Sequence, residues 1–199
     1  MEKIKSIFTG RKAKLIGEYK KSAVMILLME EEGETYIIFE KRALTLKRQP
    51  GDISLPGGAI EENETPMEAA IRETEEELNV NRDDIELIGP MDYFISPYRN
   101  IMYPFVAELH TNHFEPNKEE VDHVFKVPLK FFLENEPMCY ELEIGPNLKD
   151  NFPFNLIEGG RNYKFGRGKI EQYFYLYGDY VIWGFTALII KKFVENITE

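Results

Sequence analysis

The first clear hydrophobic pattern in the chain is a pair of apolar stretches separated by a polar turn. Ala23 to Met29 is a continuous apolar run, which predicts a buried strand. Glu30 to Glu34 is polar and contains Gly33, a combination typical of a turn. Thr35 to Lys41 is again rich in strand-forming residues, so the two stretches are predicted to pair as a hairpin.

The second pattern is helical. Five residues recur at the spacing of three and four that buries one face of a helix: Met67, Ala70, Ile71, Thr74 and Leu78. Thr65 is the predicted N-cap, Pro66 suits the first helical position, and Glu68 would complete a capping box. The helix is predicted to end at Leu78, because the following Asn79 tolerates the left-handed conformation.

Further strands are predicted on both sides of a polar loop at Thr111–Glu120. They lie at Ile85–Ile88, Met91–Ile95, Ile101–Leu109, Pro137–Ile144 and Glu171–Tyr177. Pro104 lies inside one of them and predicts an edge strand or a bulge, since proline has no N–H to donate. Pro128 is predicted to open a short helix, and a C-terminal helix is predicted from Val181 to about Ile197, with Trp183 in the core.

Composition bounds the class of protein. The chain has 199 residues, 43% of them hydrophobic, which predicts one domain over residues 1–199 with short extensions at both ends. Its net charge of −11 argues against nonspecific nucleic-acid binding. Cys139 is the single cysteine, and no apolar run is long enough to span a membrane. These features, together with an N-terminus unlike a signal peptide, lead us to expect a cytoplasmic protein.

Three carboxylates on the predicted helix form the first candidate site. At about 100° per residue, Glu73, Glu76 and Glu77 share an arc of roughly 100° beside the buried stripe. Like charges at this spacing destabilise a helix, so a cation would relieve them. Oxygen ligands of this kind suit Mg²⁺ or Mn²⁺. The alternative is an acidic face that is simply solvated.

The spacing of charged residues around this cluster favours the metal site. After Gly58 come five residues and Glu64, then seven residues and the pair Arg72-Glu73, and two residues later Glu76-Glu77. This stretch resembles the Nudix box of the Nudix hydrolases. Thr74 stands where that box has an apolar residue, and Asn79 stands where it has its second glycine.

The resemblance implies a fold and a set of roles. The fold is an α/β/α sandwich with a mixed β-sheet. The metal ligands would be Glu73, Glu76, Glu77 and the carbonyl of Gly57. Arg72 would orient the glutamates through ion pairs, with Glu64 as its partner or support.

A second stretch, Ile38–Gly58, resembles the signature of the coenzyme A pyrophosphatase branch of the family. The residues in register are Arg42, Ala43, Gly51, Pro56, Gly57 and Gly58. Lys47 replaces an arginine, Leu55 a phenylalanine, and Ile38-Phe39-Glu40 the motif Leu-Leu-Thr. Arg42, Lys47 and Arg48 are therefore the candidate substrate-binding residues of this stretch.

Two later features complete the candidate site. Glu120 best matches a further acidic residue that related enzymes carry on a loop, so it is a candidate metal ligand or base. The base is left open between Glu73, Glu120 and a water activated by the metal. The segment Arg161–Lys169 is basic in an otherwise acidic chain, so Arg161 and Lys164 are candidates for binding a phosphate; a solvated loop is the alternative.

The predicted function is metal-dependent hydrolysis of coenzyme A or a derivative to phosphopantetheine and adenosine 3′,5′-bisphosphate. Two alternatives remain: hydrolysis of another nucleoside diphosphate derivative, such as NADH or ADP-ribose, and a non-catalytic module that only binds a nucleotide. The expected partner is a small nucleotide substrate, with no nucleic acid and no membrane. A homodimer is left open.

Overall fold

The computed structural model describes residues 1–199. Four helices and eleven strands follow in chain order: α1 (Glu2–Phe8), β1 (Lys20–Glu31), β2 (Glu34–Arg42), β3 (Ile53–Ser54), β4 (Gly57–Ala59), α2 (Pro66–Leu78), β5 (Ile85–Pro90), β6 (Phe94–Ile95), β7 (Asn100–Leu109), β8 (Val121–Pro128), α3 (Leu129–Glu134), β9 (Met138–Ile144), β10 (Gly168–Tyr177), β11 (Tyr180–Trp183) and α4 (Gly184–Thr198). None of the helices combines the length and hydrophobicity that crossing a membrane requires.

The main sheet has eight strands in the order β3-β2-β1-β7-β5, with β4 beside β1, β6 beside β7 and β8 beside β2. Strands β1 and β2 form the predicted hairpin, in which Leu28 pairs with Ile37. Strand β7 runs parallel to β1, whereas the other pairs are antiparallel. The sheet is therefore mixed, as predicted.

Strand alternation divides the interior into two cores, one on each face of this sheet. Met25 and Ile38 lie in the core that contains the buried residues of α2. Ile26 and Phe39, their neighbours in the chain, lie in the core that contains the buried residues of α4. Successive side chains of a strand point to opposite faces, so the sheet lies between the two helices. The predicted α/β/α sandwich is confirmed.

Helix α2 has the predicted ends. Thr65 is the N-cap and forms a complete capping box with Glu68, and Asn79 adopts the left-handed conformation at the C-cap. The predicted buried stripe needs one correction, because Met67 is 40% exposed whereas Ala69 is fully buried. The helix packs against both β1 and β4, which shifts its buried face away from Met67.

Pro104 does not mark an edge, and the expectation of an edge strand was wrong. Strand β7 is an interior strand, with β1 on one side and both β5 and β6 on the other. The proline lies where pairing passes from β5 to β6, and its carbonyl accepts a hydrogen bond from Met91 N–H at 2.9 Å. The bulge in this region lies on β5, between Leu87 and Gly89.

A second, antiparallel sheet of three strands, β11-β10-β9, follows the main sheet in the chain. The predicted C-terminal helix begins later than expected, because Tyr180–Trp183 is a strand and Gly184, with φ 66°, turns the chain into α4. Trp183 is 40% exposed and stacks on Phe174 at 5.8 Å between ring centroids. Its placement in the core was therefore wrong.

Candidate active site

A pair of glycines places the candidate site beside the first half of β1. In β4, Gly57 pairs with Val24 and has φ 147°. A Cβ atom there would lie 2.3 Å from the Ala23 carbonyl oxygen, a distance that no side chain tolerates. Glycine therefore lets the Gly57 backbone approach the sheet, where its N–H donates to Glu77 Oε2 at 2.8 Å.

The second glycine makes room for a carboxylate. A Cβ atom on Gly58 would lie 2.5 Å from Cδ of Glu73. The Glu73 carboxyl group thus rests directly on the backbone of the turn. This contact explains why two adjacent glycines precede the acidic helix.

Arg72 connects the carboxylates on the outer side of α2. Its Nε donates to Glu64 at 2.8 Å, and its Nη1 donates to Glu73 at 2.9 Å and to Glu76 at 3.1 Å. Its Nη2 also donates to the carbonyl of Ala59 at 3.1 Å. Hydrogen bonds from Arg72 hold the pKa of Glu64 below its ordinary value. The predicted ion pairs of Arg72 are present for Glu64, Glu73 and Glu76, whereas Glu77 is held by the Gly57 N–H instead.

The inner side of the site contains two buried carboxyl groups that the sheet brings together. Glu77 on α2 is 3% exposed, and Glu40 on β2 is 1% exposed. Burial raises the pKa of Glu77 to about 9 and that of Glu40 to about 7. Burial also raises the pKa of Glu73. Without a cation, buried carboxyl groups in contact hold protons, because their mutual repulsion is otherwise unrelieved.

Glu120 reaches this cluster from a separate element. It lies in the loop before β8, and its carbonyl accepts from Ala43 N–H at 2.8 Å. Its negative charge acts on the carboxyl groups of Glu40, Glu73 and Glu77. The structure therefore brings together Glu120, Gly57, Arg72 and the three box glutamates, although they are distant in the chain.

The donor set fits a hard divalent cation. Carboxylate oxygens converge from α2, from β2 and from the loop before β8. No lysine or arginine forms an ion pair with Glu40 or Glu77. Such oxygen ligands are those that Mg²⁺ and Mn²⁺ prefer. The residues that could hold the ion are Glu73, Glu76, Glu77 and Glu120, with the Gly57 carbonyl beside them.

The predicted substrate-binding residues divide into two groups. Arg42 ends β2 next to the buried carboxyl groups, and its Nε is buried without a hydrogen-bond partner. Burial raises the pKa of Glu40, and the charge of Arg42 offsets part of that rise. Lys47 and Arg48 lie exposed in the loop between β2 and β3 and form no ion pair. Arg42 therefore belongs to the cluster, and the other two lie on a solvent-exposed loop.

The basic segment Arg161–Lys169 lies elsewhere. The guanidinium of Arg161 lies over the ring of Phe154 at 4.8 Å, and Arg167 and Lys169 form ion pairs with glutamates of β9. Lys164 lines a cavity of about 510 Å³ beside β9. No hydrogen bond or ion pair joins this segment to α2, so its role in phosphate binding stays a prediction.

One residue of the cluster, Glu40, was not singled out in the sequence as a functional residue. The available signal was a carboxylate directly after the apolar run Ile37–Phe39 of a predicted strand. A second group of ligand-type side chains, Glu86, Glu108 and His110, lies on β5 and at the end of β7. It is largely exposed, and His110 Nε2 lies 3.0 Å from Glu86.

Comparison with known proteins identifies the class. The NUDIX domain family matches residues 19–138, which is more than half of the chain. The chain therefore belongs to the Nudix family. A solved MutT/nudix family protein from Enterococcus faecalis shares the fold, with a TM-score of 0.56 and 14% identity, over 100% of this chain and 70% of that chain.

The sequence relatives carry more specific names. Peroxisomal coenzyme A diphosphatase NUDT7 of Mus musculus is 31% identical over 149 residues, which cover 72% of this chain and 63% of the mouse protein. Nudix hydrolase 15, mitochondrial, of Arabidopsis thaliana is 31% identical over 180 residues, covering 87% of this chain and 57% of the plant protein. The chain thus spans somewhat more than half the length of these curated relatives.

Proposed function

We propose that the protein is a Mg²⁺- or Mn²⁺-dependent Nudix hydrolase that cleaves the diphosphate of coenzyme A or its derivatives. The products would be phosphopantetheine and adenosine 3′,5′-bisphosphate. The observation that carries the hydrolase proposal is the convergence of Glu73, Glu77 and Glu120 beside the Gly57 turn. We further propose that residues 1–199 form one domain; the cytoplasmic location stays a prediction, and a homodimer stays open.

A divalent cation bound by these carboxylates would neutralise the diphosphate, polarise its phosphoryl oxygens and acidify a water. The chain supplies the geometry for such an ion. The Gly57 N–H fixes one oxygen of Glu77, and Arg72 holds Glu73 and Glu76. The ligands are therefore arranged before substrate arrives, which reduces the reorganisation that binding requires.

The attacking water must lose a proton, and we propose Glu120 as the group that is free to accept it. The Glu73 carboxyl group is held by its ion pair with Arg72 and rests against the Gly58 backbone, so it is not free to turn toward a water. Glu120 forms no ion pair and is exposed to solvent. We assign proton acceptance to Glu120 and orientation of the ligands to Arg72.

The coenzyme A assignment depends on the stretch Arg42–Gly58. This stretch resembles the signature of the coenzyme A branch, and the mouse relative is named a coenzyme A diphosphatase. Arg42 lies at the cluster and would bind a phosphate oxygen by charge-assisted hydrogen bonds. Lys47 and Arg48 would contact the substrate from the exposed loop.

The test is a side-by-side assay of coenzyme A, NADH and ADP-ribose with Mg²⁺, with Mn²⁺ and with a chelator. We expect kcat/KM to be highest for coenzyme A and turnover to stop in excess chelator. Preference for NADH or ADP-ribose would reject the coenzyme A assignment alone. Tight nucleotide binding without turnover would favour the non-catalytic module, and full activity in chelator would reject the metal mechanism.

A further inference from the structure

Glu40 is a buried carboxylate on β2, beside the candidate metal ligands. It follows three buried apolar residues of β2, Ile37, Ile38 and Phe39. Because side chains of a strand alternate, Glu40 shares its face with Ile38, which packs in the core of α2. A carboxylate at such a position is costly to bury unless a partner compensates it.

The partners of Glu40 within the protein account for only half of its carboxyl group. Its Oε1 accepts a hydrogen bond from Ser54 Oγ at 2.9 Å, across the pair of strands β2 and β3. Its Oε2 is buried and has no hydrogen-bond partner. The Glu77 carboxyl group lies within hydrogen-bonding reach of Glu40, and the charges of Arg42 and Glu120 act on it.

Two buried carboxyl groups this close to each other must share either a proton or a cation. The nearest cationic side chain, Arg42, leaves its own Nε unpartnered instead of donating it to Glu40. Oε2 of Glu40 is buried, receives no hydrogen bond from an amide, a hydroxyl or a basic side chain, and lies beside a candidate ligand glutamate, so it is suited to coordinate a cation. In the coenzyme A signature a threonine stands at this position, so this chain carries one carboxylate more than the signature requires.

We propose that Glu40 is an additional carboxylate ligand of the divalent cation held by α2, and that it shares this cation with Glu77. The inference rests on the proposed metal-dependent function. Oε2 of Glu40 would coordinate the ion, and Oε1 would keep its hydrogen bond from Ser54, which orients the carboxyl group. The site would then be built from a strand as well as from the helix and its turn.

The test measures binding of Mn²⁺ directly, by titration calorimetry, to the wild type, Glu40→Gln and Glu34→Gln. Glutamine keeps the size of the side chain and its hydrogen bond to Ser54. Glu34 is exposed on the same strand, so its variant is a control with the same change in net charge. We expect Glu40→Gln to lower Mn²⁺ affinity by about 10-fold or more, and the control to leave it unchanged.

The melting temperature in chelator separates a ligand from a structural group. If Glu40 serves the cation, the metal-free Glu40→Gln variant should melt at or above the wild-type temperature, because a buried carboxyl group whose Oε2 lacks a hydrogen-bond partner is gone. A variant that melts well below the control, or fails to fold, would overturn the proposal, and so would unchanged Mn²⁺ affinity. A wild type that bound no Mn²⁺ would reject the metal mechanism itself, whereas wild-type binding that survives in Glu40→Gln rejects only the role of Glu40.

Discussion

Replacing Glu77 by glutamine should change how the metal-free protein responds to pH. Glu77 and Glu40 are buried in contact, and burial raises the pKa of both, to about 9 and about 7. A group whose pKa is raised on folding stabilises the protein below its unfolded pKa, and this stabilisation is lost as pH rises through the folded pKa. The metal-free wild type should therefore become less stable between pH 5 and pH 9.

The size of the effect follows from the number of protons that the folded pair retains. One proton held by the folded chain and not by the unfolded chain contributes about 1.4 kcal/mol per pH unit. Between pH 6 and pH 8 the loss is then about 2.7 kcal/mol, which for a domain of this size lowers the melting temperature by roughly 5–11 °C. Glutamine at position 77 does not titrate, and its side-chain oxygen can still accept from Gly57 N–H.

Thermal melts in chelator at pH 6, 7 and 8 measure this difference. We expect Glu77→Gln to show less than the wild-type loss and to melt above the wild type at pH 8. Adding Mg²⁺ should stabilise the wild type, by about 2.7 kcal/mol at 100 times its Kd, and leave the variant unchanged. Glu143→Gln, at an exposed ion pair with Arg167, is the control. A wild type equally stable at pH 6 and pH 8, or a variant that loses as much, would refute the reasoning.

Three further predictions concern the turn and the basic residues. Gly57→Ala should destabilise the fold by on the order of 3 kcal/mol, because its Cβ would meet backbone atoms of β1 at a strained φ. Gly58→Ala should leave the melting temperature unchanged and lower kcat, because its Cβ would displace the Glu73 carboxyl group. Equal melting temperatures for the two variants would contradict this. Arg42→Ala should raise KM for the substrate more than it lowers kcat if it only binds phosphate, and steady-state kinetics showing the reverse would assign it to the transition state. Neutralising Arg161 and Lys164 together should weaken coenzyme A more than dephospho-coenzyme A if the segment binds the 3′-phosphate, with a gap that shrinks at high salt; equal KM changes for both substrates would reject that role.

The sequence by itself determined the features that depend on neighbours within a few residues. The cap at Thr65, the capping box with Glu68 and the left-handed Asn79 are all local, and the structure confirms each of them. The β1–β2 hairpin is local in the same sense. The spacing of the charged residues from Gly58 to Glu77 could be recognised in the sequence because these residues all lie on one helix and the turn before it.

The contacts between strands that are distant in the chain were decided only by the tertiary structure. Strand β7 is interior because it pairs with β1 across about 80 residues, and this placed Pro104 away from an edge. The same long-range packing buries Glu77 against Glu40 and brings Glu120 to both. No local pattern specifies these contacts, since each depends on which face of β2 meets α2. The glutamates of the box could be identified from their spacing, whereas the buried pair formed by Glu40 and Glu77 required the folded sheet.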